Sequence, residues 1–175
     1  KHVGSRQHKH PQEVHHADSD RNNERKGDAS VTQEIQKQTH EWKRQLENHL
    51  TMQLLPFWLD RVEDRNHGGF ITHFDSRGKD TGVDEKSLIS QARTLFSLSL
   101  ASRHEASRNV CLQKAKRGMQ FLYDKFWDDA AEGFIWSVRR NGEPVERRKI
   151  VYGQSFAIYA LTEFSRATGD TTALE

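Results

Sequence analysis

The chain has 175 residues, of which 34% are hydrophobic and 30% are charged, and its formal net charge is +2. That length suits one domain, no apolar run approaches the roughly 18 residues of a membrane span, and a single cysteine excludes an intramolecular disulfide framework. Basic and acidic residues are mixed along the chain, which disfavours a nucleic-acid-binding protein.

The N-terminal segment is polar and rich in histidine. Residues 1–30 contain so few apolar side chains that burial would not offset the entropy of ordering them. We therefore predict a disordered tail over residues 1–30. Its histidines show no fixed ligand spacing, so no metal site is expected there. The chain begins with Lys1 and not with Met, which is typical of a processed protein or of a piece of a longer one.

Helical periodicity begins at Val31. Apolar residues recur at helical spacing over residues 35–58, 88–100, 112–126 and 156–164. Pro56 is expected to bend or restart the first of these helices. The first and third helices carry one apolar stripe and should be half-exposed, and Lys114 lies off that stripe. The second and fourth helices are apolar around most of their circumference, which predicts that they are enclosed.

Two segments between the helices repeat each other. Residues 68–79 align with residues 132–143 at an offset of 64, and both lead from alternating apolar residues into a glycine turn. This pattern predicts two short hairpins. In the helices that follow, Gln91 aligns with Gln154. A unit of outer helix, hairpin and inner helix cannot bury its own inner helix, and three or more such units normally stack. The sequence therefore predicts an all-α fold that is part of a larger α/α toroid.

A series of short motifs follows the same order along the chain. They occupy residues 55–58, 64–70, 86, 91–93, 126–128, 133–137 and 152–161. Together they resemble the N-acylglucosamine 2-epimerase superfamily, and above all its cellobiose 2-epimerase branch. The resemblance implies an (α/α)6 barrel with a sugar in its central cleft. Residues 31–175 would form the N-terminal part of that barrel, truncated at the C-terminus.

The resemblance also implies a reaction. Family members epimerise a reducing sugar at C2, or interconvert an aldose and a ketose, through an enediolate and without a metal or another cofactor. We therefore expect a mono- or disaccharide substrate of the N-acylglucosamine or cellobiose type, with no nucleic acid and no membrane as a partner. The resemblance favours a cytoplasmic enzyme and leaves a homodimer of the full-length protein open. The missing initiator Met leaves a secreted or periplasmic location open.

Three residues are expected at the site. Arg93 matches the family arginine beside the sugar oxygens, where a fixed, permanently charged guanidinium suits an oxyanion. Spacing alone leaves a solvated or salt-bridged surface residue open for it. Tyr152 matches a tyrosine that lines the cleft, with a buried core position as the alternative. Trp136 would stack on a sugar face or pack at the barrel rim. The family's catalytic histidines match nothing in this chain, so these residues alone are expected to be inactive.

Two further residues are assigned structural roles, and two other functions remain as alternatives to an epimerase. Gln154 is expected to form hydrogen bonds within the barrel, and Cys111 to be a buried structural thiol. A glycoside hydrolase or lyase on the same fold would need paired carboxylates in the cleft. Asp84 and Glu85 are the nearest candidates, but adjacent side chains point in different directions. A non-catalytic helical-repeat binding module is the other alternative.

Overall fold

A computed structural model of the chain describes residues 14–172, with side chains from residue 31 onward. The helices are α1 (Val14–His49), α2 (Leu55–Arg61), α3 (Leu88–Ala101), α4 (Arg108–Phe126) and α5 (Val151–Thr168). The strands are β1 (Lys86–Ser87), β2 (Ser137–Val138) and β3 (Pro144–Glu146). A π-helical turn, Leu50–Leu54, precedes α2, and a 3-10 turn, Glu105–Ser107, precedes α4. The fold is thus mostly helical with a small antiparallel sheet.

The chain divides after His49 into two units, and α1 belongs to the first. α1 begins at Val14 and so includes residues 14–30, within the segment for which the sequence predicts a disordered tail. The physical reason is that extending a helix is far easier than nucleating one, and this segment contains no proline. Residues 1–13 of the predicted tail lie outside the described residues. The predicted apolar stripe of α1, which includes Ile35, Trp42 and Leu46, is exposed.

The second unit, residues 50–175, contains the two hairpins. α2 restarts the helix at Leu55 with Pro56 in its first turn, as the sequence predicts. The two hairpins have equivalent hydrogen bonds to the residues that precede them. Ile71 N donates to Val62 O and, in the second repeat, Ile135 N donates to Phe126 O, both at 2.8 Å. The predicted repeat is therefore confirmed. β2 and β3 are the paired strands of the second hairpin, and β1 pairs with β2 on its other side, both in antiparallel register.

The core lies where α3 packs against α4 and α5 beneath the hairpins. Ser87 caps α3 because its side chain accepts a hydrogen bond from Ser90 N at 3.3 Å. α5 ends at Gly169, whose φ of 76° is a conformation that glycine adopts without strain. Fully buried apolar side chains fill the interior: Leu88, Ala92, Cys111, Leu122, Phe126, Val138 and Phe164.

α5 is covered on one side only by the described residues: α3 and α4 pack against it there, while Val151, Ile158 and Tyr159 are exposed. One expectation about exposure is wrong. Lys114 was expected off the buried face of α4, but it is buried, and its Nζ donates to Glu63 Oε2 at 2.5 Å. The ion pair with a carboxylate from the loop after α2 is what permits that burial. Of the helices described, none is long and apolar enough to span a bilayer.

Candidate functional site

Arg93 projects from α3 into an open groove. The groove has a volume of about 620 Å³ and is lined by α2, the first hairpin and α3, with Trp58 and Phe74 among its walls. Arg93 is exposed, and within residues 31–172 its guanidinium has no hydrogen-bond or ion-pair partner. The salt-bridged form of the surface alternative is therefore not seen, whereas the solvated form is compatible with this exposure, and the catalytic role of Arg93 stays a prediction. A free, permanently charged guanidinium on a groove wall can bind an anionic or strongly polar oxygen.

A second cavity of about 270 Å³ lies on the other side of Arg93, between α3 and α5. Phe96, Phe156 and Tyr159 supply its aromatic walls. The rings of Phe96 and Tyr159 are stacked, with centroids 4.3 Å apart. Apolar ring faces beside a few placed polar groups are the usual lining of small-molecule sites. This cavity has that composition, with Arg93 as its charged member.

Tyr152 stands in the first turn of α5 and is 60% exposed, so the buried core position considered for it is wrong. Its ring meets that of Phe156 edge-on, with centroids 4.9 Å apart. Phe156 also lines the cavity that Arg93 lines. The structure therefore connects Tyr152 to Arg93 through one shared aromatic neighbour.

Trp136 is half-buried in the second hairpin. Its backbone N donates to Glu146 O at 2.9 Å, and its backbone O accepts from Leu88 N at 2.8 Å. A Cβ on Gly153 would lie 3.2 Å from the Trp136 ring, so the ring packs on α5 beside Tyr152. Trp136 is not among the residues lining either cavity. The structure shows the packing alternative, and a sugar contact by Trp136 remains a prediction.

A buried ion cluster joins the two hairpins behind the groove. Lys86 Nζ lies 3.0 Å from Asp64 Oδ2, and the Lys86 side chain is 0% exposed. The same ammonium donates to Gly68 O and to Arg140 O, the latter at 3.1 Å. Arg140 in turn pairs with Asp80, and its Nε lies 3.6 Å from Asp64 Oδ2. The start of α3, which carries Arg93, is thereby tied to both hairpins.

The contacts within the cluster shift the pKa values of Asp64 and Lys86. Burial acts to raise the pKa of Asp64, but the ion pair with Lys86 and the N–H groups of His67 and Asn66 outweigh it, so that the pKa lies below its usual value. Burial lowers the pKa of Lys86, and Asp64 opposes that shift only in part. The pair serves as a structural contact between Asp64 and β1.

Sequence reasoning missed this cluster although the repeat contained a signal for it. The second hairpin has an equivalent ion pair, in which Lys149 Nζ lies 2.9 Å from Asp128 Oδ2. Asp128 follows Asp64 by 64 residues and Lys149 follows Lys86 by 63, the offsets that align the hairpins and the helices. The hydrogen bond from Lys149 lowers the pKa of Asp128. An aspartate and a lysine at corresponding positions of both repeats could have predicted both pairs.

The remaining candidates are held in structural contacts. Asp84 lies 3.2 Å from Arg139 Nη1 and accepts from Arg140 N at 3.1 Å, and the N–H of Arg140 and the Arg139 side chain keep its pKa below the usual value. This carboxylate is bound to the second hairpin, which does not support a hydrolase pair with Glu85. Cys111 is fully buried, and burial raises its pKa, as expected of a structural thiol. In the part of the chain that was searched, no three His, Cys, Asp or Glu side chains converge to hold a metal.

Comparison with known proteins gives the same family as the motifs. Residues 69–175 match the N-acylglucosamine 2-epimerase (GlcNAc 2-epimerase) family. The cellobiose 2-epimerase of Bacteroides fragilis is 38% identical over 138 residues, which are 75% of this chain and 33% of that protein. The solved cellobiose 2-epimerase of Spirochaeta thermophila superposes with a TM-score of 0.69 at 34% identity, over 77% of this chain and 33% of that one. The solved cellobiose 2-epimerase of Bacillus thermoamylovorans superposes with a TM-score of 0.69 at 33% identity, over 77% of this chain and 34% of that one.

This chain therefore spans about one third of the length of the relatives it matches. The family match covers more than half of its residues and includes Arg93 and Tyr152. The resemblance inferred from the motifs is confirmed. The chain belongs to the N-acylglucosamine 2-epimerase family.

Proposed function

We propose that the chain acts in the C2 epimerisation of a reducing sugar of the N-acylglucosamine or cellobiose type. The observation that carries the proposal is Arg93, which stands with a free guanidinium between two cavities in a chain of this family. The relatives named above are cellobiose 2-epimerases, which favours a disaccharide with a free reducing end.

The chemistry explains the residue types. After the sugar ring opens, a base removes the C2 proton, and the electron pair of that C–H bond moves toward the carbonyl to leave an enediolate with negative charge on oxygen. Return of a proton to the opposite face of C2 gives the epimer. Arg93 is placed to hold the C1 or C2 oxygen, where its charge and its fork of N–H donors strengthen the interaction as negative charge develops.

Tyr152 and Trp136 are proposed to contact the sugar. The exposed ring of Tyr152 offers an aromatic face and a hydroxyl beside the cavity that contains Arg93. Trp136 packs against Gly153 and is half-buried, so part of its indole ring is accessible at the second hairpin. Rings of this kind bind the apolar faces of sugars, while the hydroxyl gives directional hydrogen bonds.

We also propose that residues 31–175 form the N-terminal part of an (α/α)6 barrel. Two observations support it: the matched region is about one third of each relative, and the exposed side of α5 carries Val151 and Ile158, which a further repeat would cover. Acid and base histidines would then come from later helices. The described chain alone would form one wall of the sugar-binding site and would not catalyse the epimerisation.

The test uses the full-length protein that contains these residues. Incubation with cellobiose should convert the reducing-end glucose to mannose while leaving the glycosidic bond intact. N-acetylglucosamine, supplied separately, distinguishes the two substrate types. Release of free glucose from cellobiose, with no epimer of either sugar, would contradict the proposal and would indicate a hydrolase instead.

A further inference from the structure

Gln91 and Gln154 hold the two hairpins by the same pair of hydrogen bonds. Gln91 Nε2 donates to Phe70 O at 2.7 Å, and Phe70 N donates to Gln91 Oε1 at 2.8 Å. Gln154 Nε2 donates to Phe134 O at 2.6 Å, and Phe134 N donates to Gln154 Oε1 at 2.9 Å. Each side-chain amide pairs with a hairpin residue as a neighbouring strand would. We call these two contacts the glutamine clamps.

The hairpin end of each clamp is fixed by aromatic packing. The Phe70 ring lies so close to α4 that a Cβ on Gly118 would be 2.1 Å from it. The Phe134 ring packs against Tyr123 and Trp127, with centroids 5.7 and 5.1 Å away. Because the phenylalanines are held in this way, each clamp sets the position of the helix that carries its glutamine.

The clamps lie opposite the proposed sugar contacts. At 3.6 residues per turn, residues two positions apart project about 160° from each other around a helix. Gln91 and Arg93 stand in this relation on α3, and Tyr152 and Gln154 stand in it on α5. Gln91 is 1% exposed, whereas Arg93 and Tyr152 are exposed. A rotation of either helix is blocked on one side by the clamp, and this fixes the direction of the residue on the other side.

We propose that Gln91 is the positioning residue for Arg93 and Gln154 the positioning residue for Tyr152. The inference rests on the proposed function, since it assigns these residues to the sugar site. Loss of a clamp leaves the N–H and C=O of a buried phenylalanine unpaired, which is costly in the interior. A shift of the helix or the hairpin that gives these unpaired groups new hydrogen-bond partners then lowers the free energy of the folded protein.

The kinetic test compares Gln91→Met with Gln154→Met in the full-length enzyme. Methionine keeps the length of the side chain but removes both hydrogen bonds. Gln91→Met should lower kcat by about 100-fold with little change in KM, because it misaligns the group that holds the enediolate. Gln154→Met should raise KM by about tenfold with little change in kcat, because it misplaces a ground-state contact. Gln113, exposed on α4, gives the control Gln113→Met, which should change neither.

Amide hydrogen exchange gives a second measurement that needs no turnover. Gln91→Met should speed exchange at Phe70 and in the first turns of α3, and Gln154→Met should do so at Phe134 and the start of α5. Unchanged exchange, wild-type kinetics, or parallel changes of kcat and KM in both variants would overturn the inference. If Gln91→Met does not fold, Gln91→Glu replaces it, since it keeps the acceptor and loses the donor. A wild-type enzyme without epimerase activity would remove the proposed function, while exchange would still decide whether the clamps position the helices.

Discussion

Arg93 is the one charged residue among the 14 residues of α3. The rest of the helix consists of apolar and small polar side chains, and within the described part of the chain the exposed guanidinium of Arg93 has no hydrogen-bond or ion-pair partner. Its place between two cavities gives it access to a ligand from either one. We propose that the group it holds there is an oxygen of the enediolate.

Arg93→Lys tests that role, because lysine keeps the charge but loses the fork of donors. We expect kcat to fall by about 100-fold or more, comparable to the loss of one oxyanion donor, with little change in KM. The melting temperature should stay close to that of the wild type. Arg103, which pairs with Glu163, gives the matched control Arg103→Lys, with near-normal kcat. Turnover above about half of the wild-type rate in Arg93→Lys would remove Arg93 from the catalytic set.

At the scale of the elements, the hairpins owe their placement to the buried pairs and to the glutamine clamps. Lys86 extends from β1 and its ammonium lies 4.5 Å from the centroid of the Phe121 ring, on α4. The same ammonium contacts Asp64 in the first hairpin and the backbone of Arg140 in the second. One buried cation therefore connects a strand, a helix and both hairpins.

Lys86→Met should destabilise the protein strongly, by about 3–5 kcal/mol, because it leaves the buried Asp64 carboxylate with only the longer contact to Arg140 Nε, at 3.6 Å. Lys149→Met is the matched control from the second repeat. Its ion pair with Asp128 is partly exposed, at 23% and 19%, so water can replace the lost partner and the cost should be smaller. Urea unfolding of both variants measures the difference. Equal losses would show that burial of the first pair is not what makes it important.

The Asp64–Lys86 pair also predicts a pH dependence. A carboxylate whose pKa is lower in the folded than in the unfolded state stabilises the fold above the unfolded pKa, and this stabilisation is lost as the pH falls through the folded pKa. Asp64→Asn should therefore have a melting temperature well below that of the wild type at pH 7. The difference between the two melting temperatures should narrow below about pH 4. Asp60→Asn, at an exposed position, should show little change at any pH. A gap that stays constant down to pH 2 would contradict the lowered pKa.

Much of the architecture was predictable because the chain repeats itself. The 64-residue offset predicted both hairpins and the equivalence of Gln91 and Gln154, and helical spacing predicted α3 and α4. The buried position of Lys114 was not predictable from periodicity, since its partner Glu63 lies on another element. At the site, the resemblance supplied Arg93 and Tyr152, but their exposure depends on which helices pack against α3 and α5.

At the scale of the whole molecule, α5 has an exposed side that carries apolar residues, and the two repeats of this chain do not cover it. Ile158 is 64% exposed although it lies on a helix with an apolar sequence. A third repeat would bury it, as stacked repeats bury one another's inner helices. The proposed barrel therefore makes opposite predictions for Ile158 in the 175-residue chain and in the full-length protein.

Ile158→Asp distinguishes the two situations. In the 175-residue chain the substitution should change the stability by about 0.5 kcal/mol or less, as at other surface positions. In the full-length protein it should cost about 3 kcal/mol or more, because it buries an unpaired carboxylate. Thermal unfolding of both forms, each compared with its own parent, measures the effect. A small change in both would show that no further repeat covers α5.

The central claim is that these residues belong to an enzyme that breaks and reforms the C2–H bond of a reducing sugar. Its most direct test is to incubate the full-length protein with cellobiose in D2O and to follow C2 by NMR. Since the base takes the C2 proton and returns one from solvent, we expect deuterium at C2 of the epimeric product, and this signal should be lost in Arg93→Lys. An epimer that retains its original hydrogen, or a sugar that is unchanged after prolonged incubation, would contradict the account.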